Sequence, residues 1–278
     1  SLGGQAVFNW GPLMRRLFTQ SMVAILSLLI GYADRAEADV LSEEVVVHSL
    51  GDLARKVAGA APGDVIELAD GDYVGDDCVL AAKGSAETPI IVRAAQLGGA
   101  RVISPIKIAS DFLVLEGIRF EEGGGLIVDG IGCKILRCVM NDVQTGKWIR
   151  VLAGSKGIEI AYCRFENKTN NRERDRGCQL LQVRVRNDRE KHHIHHNHFL
   201  DVPVGKSNNG YETLQLITEK NPFDPAPGVC GTVIETNLFE RCSGEAEIIS
   251  VKANENVLRN NTFRASAGSL VLRHGHGN

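Results

Sequence analysis

A short motif returns along the chain: an apolar run ending in an aromatic or similarly large residue beside asparagine. It reads IRF at 118–120, CVMN at 138–141, CRFEN at 163–167, NHF at 197–199, NLF at 237–239 and NTF at 261–263. Several successive separations, 120 to 140, 140 to 165 and 239 to 263, are 20 to 25 residues. Strand composition at that period, without a second helix per unit, is what a parallel β-helix produces, each repeat forming one coil stacked on the last. The leucine spacing of a leucine-rich repeat is missing. The expected class is therefore all-β, a right-handed single-stranded parallel β-helix. Asn and Gly serve its corners, because Asn tolerates left-handed backbone angles and bonds neighbouring backbone with its side chain.

One helix is expected, at the start of the stack. Ser49 can cap a segment whose apolar positions Leu50, Leu53, Ala54 and Val57 have helical spacing and which ends near Gly59. Such a helix would cover the open N-terminal edge of the coils. The wider gaps, 165 to 199 and 199 to 239, must hold excursions from the coil, KTNNRERDRG and TEKNPFDPAPG. Long loops on a rigid solenoid are where binding walls are usually built.

Upstream, Met14-Arg15-Arg16, the apolar run Met22 to Ile30 and Ala36-Glu37-Ala38 follow the order of a secretory signal peptide. The domain reading is 1–13 leader sequence, 14–38 signal peptide and 39–278 β-helix, with Asp39 as the first mature residue and a secreted or periplasmic location. The apolar run is too short for an ordinary transmembrane helix. Without residues 1–38 the formal charge moves from −3 to −4, 28 basic against 32 acidic groups. Between Arg164 and Lys191, however, nine Lys/Arg face five Asp/Glu, a local excess able to attract a polyanion. Arg184 and Arg186, alternating with Val183 and Val185, share one strand face there. The seven cysteines are odd in number and include no C-x-x-C pair, which disfavours metal ligation; Cys138 and Cys163 read as buried thiols. No phosphate-binding glycine motif occurs, and no nucleic-acid partner is expected.

The densest chemistry lies in GEAEIISVKANENVLRNNTFRASAGSLVLRHG, residues 244–275. Glu245 and Glu247, two apart on a strand, would share a face roughly 7 Å apart, with Ala246 and Ile248 turned inward. Side-by-side carboxylates repel, and a hard cation such as Ca²⁺ relieves the cost. Asn209, in NNGYE about one coil earlier, can add a neutral oxygen. Lys252 follows Glu247 by five positions and needs a coil corner to join the same face. Arg273 is 21 residues beyond Lys252, hence one coil away. A cation, a lysine and an arginine together suit β-elimination on a polymer of uronic acids. The cation acidifies the proton beside the sugar carboxylate, the lysine removes it, and the arginine assists the departing glycosidic oxygen. Hydrolysis would instead ask for two carboxylates flanking the bond.

The run NLFERCSGEAEIISVKANENVLRNNTF with LVLRHG after it and NNGYE before it resembles the polysaccharide lyase family of chondroitinase B and the calcium-dependent alginate lyases. The resemblance implies that Asn209, Glu245 and Glu247 bind Ca²⁺, that Lys252 is the base and that Arg273 is the acid or charge stabiliser. It further implies a supporting role for Glu212 and substrate contact for His274. Arg184 and Arg186 are candidates for a groove wall facing the polymer. In that family the coils continue beyond R-H-G, so this chain, ending at Asn278, reads as truncated at its C-terminus. Alginate is the expected substrate, from the wording TNLFERCSGEAEIIS; dermatan or chondroitin sulfate is the alternative, as is a noncatalytic polysaccharide-binding β-helix. A hydrolase of the pectin-cleaving kind on the same fold lacks its clustered aspartates. The stretch KHHIHHNHF, residues 191–199, invites a metal reading, but alternation sends its histidines to different faces.

Overall fold

The computed structural model describes residues 45–76, 78–169, 177–219 and 227–278. Both expected loop excursions fall largely outside these residues, as does the segment assigned to a signal peptide. Among the described residues no helix is long and apolar enough to cross a membrane.

The described chain winds into three parallel sheets of nine, eight and eight strands, and successive coils contribute neighbouring strands to each. One sheet runs from Val45–Val47 to Val257–Arg259, a second from Gly71–Tyr73 to Thr262–Arg264, and a third from Cys78–Leu80 to Ser269–His274. This is the expected parallel β-helix. The helix spans Leu50–Ala58, with the Ser49 side chain accepting from Asp52 N and Gly59 as C-cap. Its apolar stripe, Leu50, Leu53 and Val57, joins the core of the stack.

The recurring motif occupies one sheet in strict register. Phe120, Met140, Phe165, Phe199, Phe239 and Phe263 stand opposite one another coil after coil. Ring centroids are 4.6 Å apart for Phe165–Phe199, 4.7 Å for Phe199–Phe239 and 5.1 Å for Phe239–Phe263, close to the strand spacing itself. Stacking therefore needs no departure from the backbone repeat. On the final coil Val257, Phe263, Leu270 and Leu272 are exposed.

The corner ladder differs from the sequence expectation in one respect. The left-handed residue is the one before the motif: Gly117, Arg137, Tyr162, His196, Thr236 and Asn260 all have positive φ. The residue that follows turns inward. Where it is asparagine it replaces a missing backbone acceptor, as Asn197 Oδ1 accepts from Cys163 N, Asn237 Oδ1 from Asn197 N, and Asn261 Oδ1 from Asn237 N. In earlier coils the same position holds Cys138 and Cys163, buried thiols that donate to carbonyls. All seven cysteines are free and buried. Burial pushes the thiols of Cys78 and Cys133 up to about 11.

Candidate active site

The third sheet carries the chemistry on its outward face. Its strands Leu181–Val185, Leu214–Thr218, Glu247–Lys252 and Ser269–His274 are neighbours in that order. The register places Arg184, Ile217, Lys252 and His274 in one row across four coils. A second row runs Ile127, Arg150, Gln182, Gln215 and Ser250.

Glu247 and Lys252 belong to one strand, so no corner separates them. The odd spacing is absorbed by the register shift between Glu247 and Ile249, where Ile248 is the extra residue; a second shift, between Val251 and Lys252, makes Arg273 the extra residue of the facing strand. Bulges of this kind re-aim side chains, and both ends of the strand reach the same cleft. Glu245 lies in the bend before the strand rather than on it, and Ala246 is exposed, not turned inward. The carboxylates converge nonetheless. Glu245 Oε2 accepts from Tyr211 N at 2.8 Å, which folds it back over the preceding coil. Gly244 permits that approach, since a Cβ there would meet Tyr211 O at 2.3 Å.

Glu212 completes the group. One oxygen from each of Glu212, Glu245 and Glu247 lies within 4.8 Å of the others. Burial raises Glu245 to about 7, with the charges of Glu212 and Glu247 adding to the effect. Glu247 moves the opposite way. Burial, its largest influence, would raise it, but the nearby Ser250 hydroxyl and the Arg273 guanidinium together hold it below the usual carboxylate range. Arg273 Nη1 bonds Glu247 Oε1. Glu247 Oε2 is buried with no hydrogen-bond partner, Ser250 lying close but outside bonding geometry. Lys252 Nζ donates to Glu212 Oε1 at 3.3 Å.

Three clustered carboxylates and an orphaned buried oxygen are the donor set of a hard cation. The residues thus fit a hard cation such as Ca²⁺, which the carboxylates could hold. Asn209 sits on the exposed loop three residues before Glu212, and its carbonyl accepts from Ser207 Oγ at 3.4 Å. Arg184 lies in the Lys252 row. Arg186, beyond the strand end, pairs with Glu219 at 2.8 Å and is more exposed.

Sequence reasoning missed two basic residues, Lys147 and Arg150. They line a pocket of about 310 Å³ on the same face, with Ile127 and Thr145. Lys147 is held below its ordinary value, first by burial and then by the charges of Arg150 and Arg184, against the opposing pull of Cys178 and Glu212. The available signal was the alternation in WIRV, 148–151, which turns Arg150 outward.

The histidine stretch lies on a different sheet. His193 bonds Glu235 at 2.8 Å and His195 bonds Glu159 at 3.2 Å. His192 accepts from Ile158 N, and burial pushes it down to about 4.

No curated protein matches the chain. Among solved structures, a mannuronic-acid-specific lyase of polysaccharide family 6 from human gut microbiota is 30% identical, with a TM-score of 0.71 over 84% of this chain and 57% of its own. The family 6 alginate lyase AlyGC is 26% identical, with a TM-score of 0.72 over 84% of this chain and 33% of its own. A family 6 lyase from Pseudopedobacter saltans, 24% identical with a TM-score of 0.68 over 82% of this chain and 54% of its own, shares the fold. The chain therefore spans between a third and just over half of these structures. The chondroitinase B family model matches residues 47–278, almost the whole described region. With that match and the carboxylate, lysine and arginine cluster assembled on its third sheet, the chain belongs to the chondroitinase B family, polysaccharide lyase family 6.

Proposed function

We propose that the full-length protein is an exported lyase that cleaves alginate by β-elimination. The observation that carries the reading is the placement of Lys252 and Arg273 on adjacent strands, one bonded to Glu212 and the other to Glu247 of a largely buried group of three carboxylates. Mere surface ion pairing would leave such groups exposed, whereas Lys252 is 8% and Glu212 1% exposed. Ca²⁺, when bound, supplies neutralisation of the sugar carboxylate. Glu245 and Glu247 hold it through oxygens that the protein leaves available, and Asn209 adds a neutral oxygen from its loop.

Lys252 removes the proton from the carbon beside the sugar carboxylate. Glu212, at 3.3 Å, receives the ammonium so formed as an ion-pair partner. Arg273 acts through its guanidinium donors, stabilising the negative charge that develops on the departing glycosidic oxygen. His274 contacts the chain beside Lys252, with which it stands in register. Arg184 and, at the edge, Arg186 bind further carboxylates of the polymer, in line with Lys147 and Arg150. The partner is thus an anionic polysaccharide. Export rests on the residue order at 14–38 and predicts Asp39 at the mature N-terminus, which intact mass of the secreted or periplasmic protein would read.

Alginate is supported by the two solved lyases at 26% and 30% identity, one described as an alginate lyase and the other as mannuronic-acid specific. Dermatan or chondroitin sulfate is the second reading, supported by the matched family model. Elimination leaves a double bond conjugated with the carboxylate at the new nonreducing end, visible as ultraviolet absorbance. Incubation with alginate, its two block types and dermatan sulfate reports substrate and reaction class together. Oligosaccharides without that absorbance would mean hydrolysis; binding without cleavage would mean a noncatalytic module.

A further inference from the structure

Both oxygens of Glu212 are held by amides. Gln179 Nε2 donates to Oε2 and Gln215 Nε2 to Oε1, each at 2.6 Å. Gln182 Nε2 in turn donates to Gln215 Oε1 at 2.7 Å. The three glutamines are buried, at 3%, 6% and 8% exposure for Gln179, Gln215 and Gln182. A carboxylate only accepts, so each amide must turn its NH₂ toward Glu212. Gln215 then faces the preceding coil with its oxygen, where Gln182 satisfies it. The donor chain has one direction and one end.

Coil stacking does not call for these amides. The same outward row carries Arg150 and Ile127 in the two coils before Gln182. Along this row glutamine stands only at Gln182 and Gln215, in the coil of Glu212 and the one before it. Gln179 even leaves its own Oε1 buried without a partner, a cost that donation to Glu212 must offset. Of the three clustered carboxylates, Glu212 has both oxygens engaged by amides and Lys252, while Glu247 keeps Oε2 open.

We propose that Gln179 and Gln215 are positioning residues that assign Glu212 to Lys252 and keep its carboxylate out of the cation's ligand set. The amides decide between two uses of one carboxylate. Charge alone would not, since one oxygen of Glu212 lies within 4.8 Å of both other carboxylates. The kinetic consequence rests on the lyase reading; the placement of Lys252 does not.

The test uses the full-length protein and Gln215→Leu, with Gln179→Leu as the second variant should the first not fold. In ¹⁵N-labelled protein the Lys252 side-chain Nζ resonance, assigned by its loss in Lys252→Ala, should shift or vanish in Gln215→Leu. Calorimetric titration with Ca²⁺ alone should show affinity equal to or tighter than the parent. On a cleaved polymer kcat should fall about tenfold or more with KM within about twofold, and Gln215→Leu should add nothing to Glu212→Gln. An unmoved Lys252 resonance, losses that simply add, or Ca²⁺ affinity falling in step with the melting temperature would overturn the assignment. A parent that cleaves nothing, with a Lys252 resonance that responds, would sink the lyase reading and leave the positioning role standing.

Discussion

Lys252 stands opposite His274 in the parallel ladder, not opposite Arg273. Val251 pairs with Leu272, so Arg273 is the extra residue of its strand, displaced by the register shift. That displacement frees its guanidinium to reach Glu247 while Lys252 reaches Glu212. The proposed base and charge stabiliser therefore engage different carboxylates, which makes their roles separable by substitution.

Lys252→Ala should retain the fold and polymer binding while lowering kcat by about a hundredfold or more, because a general base acts only in the transition state. Arg273→Lys keeps the charge but loses the planar fork, and should lower kcat by about tenfold. Initial rates from ultraviolet absorbance, with KM measured alongside, check both. A Lys252→Ala protein with near-parental kcat would remove the lysine from the chemistry.

Chelation should abolish turnover and added Ca²⁺ should restore it. Glu247→Gln should weaken Ca²⁺ in calorimetry by about tenfold or more, since it removes one charged ligand oxygen and the partner of Arg273. Turnover unaffected by excess chelator would exclude the ion from the mechanism.

Glu245 links this affinity to pH. Its carboxyl is raised from 4.5 to about 7 by burial, so the folded protein without ion binds a proton there that the unfolded chain has already lost across that window. Stability of the ion-free protein should accordingly fall as pH rises from about 4.5 to 7 and level off above. Ion binding needs the carboxylate, so Ca²⁺ affinity should weaken as pH drops below about 7, with proton release on binding. Thermal melts with chelator and calorimetry in buffers of different ionisation enthalpy read the two trends, and Glu245→Gln should flatten both.

The ladders away from the cleft should govern stability alone. Phe239→Ala removes a fully buried ring stacked on both neighbours and should cost about 3–5 kcal/mol. Asn237→Ala strands Asn197 N and Ile194 O, both of which its side chain satisfies, and should cost about 2 kcal/mol or more. Denaturant unfolding measures these. Parental stability in Asn237→Ala would mean that the amide ladder is not needed at that corner.

The motif from Phe120 to Phe263, by itself, determined the coil length, the stacking and the sheet that holds the aromatic ladder, because a period near one coil leaves each large residue nowhere to go but above the last. The helix at Leu50–Ala58 was legible for a similarly local reason, its cap and apolar stripe lying within one short segment. Coil spacing also brought Lys252 and Arg273 to neighbouring strands. Only the tertiary structure decided how they are used. Two register shifts of one residue each, invisible to counting along the chain, did this: the extra Ile248 put Glu247 and Lys252 on one face without a corner, and the extra Arg273 on the next strand set it beside Glu247 rather than Lys252. The pairing of Glu212 with Lys252, 40 residues on, and the amide of Gln179, 33 residues before it, depend on contacts between coils that spacing does not show. Lys147 and Arg150 stayed hidden for a related reason: the long excursion at 168–177 breaks the period between their coil and that of Arg184, so their common face exists only once the coils are stacked.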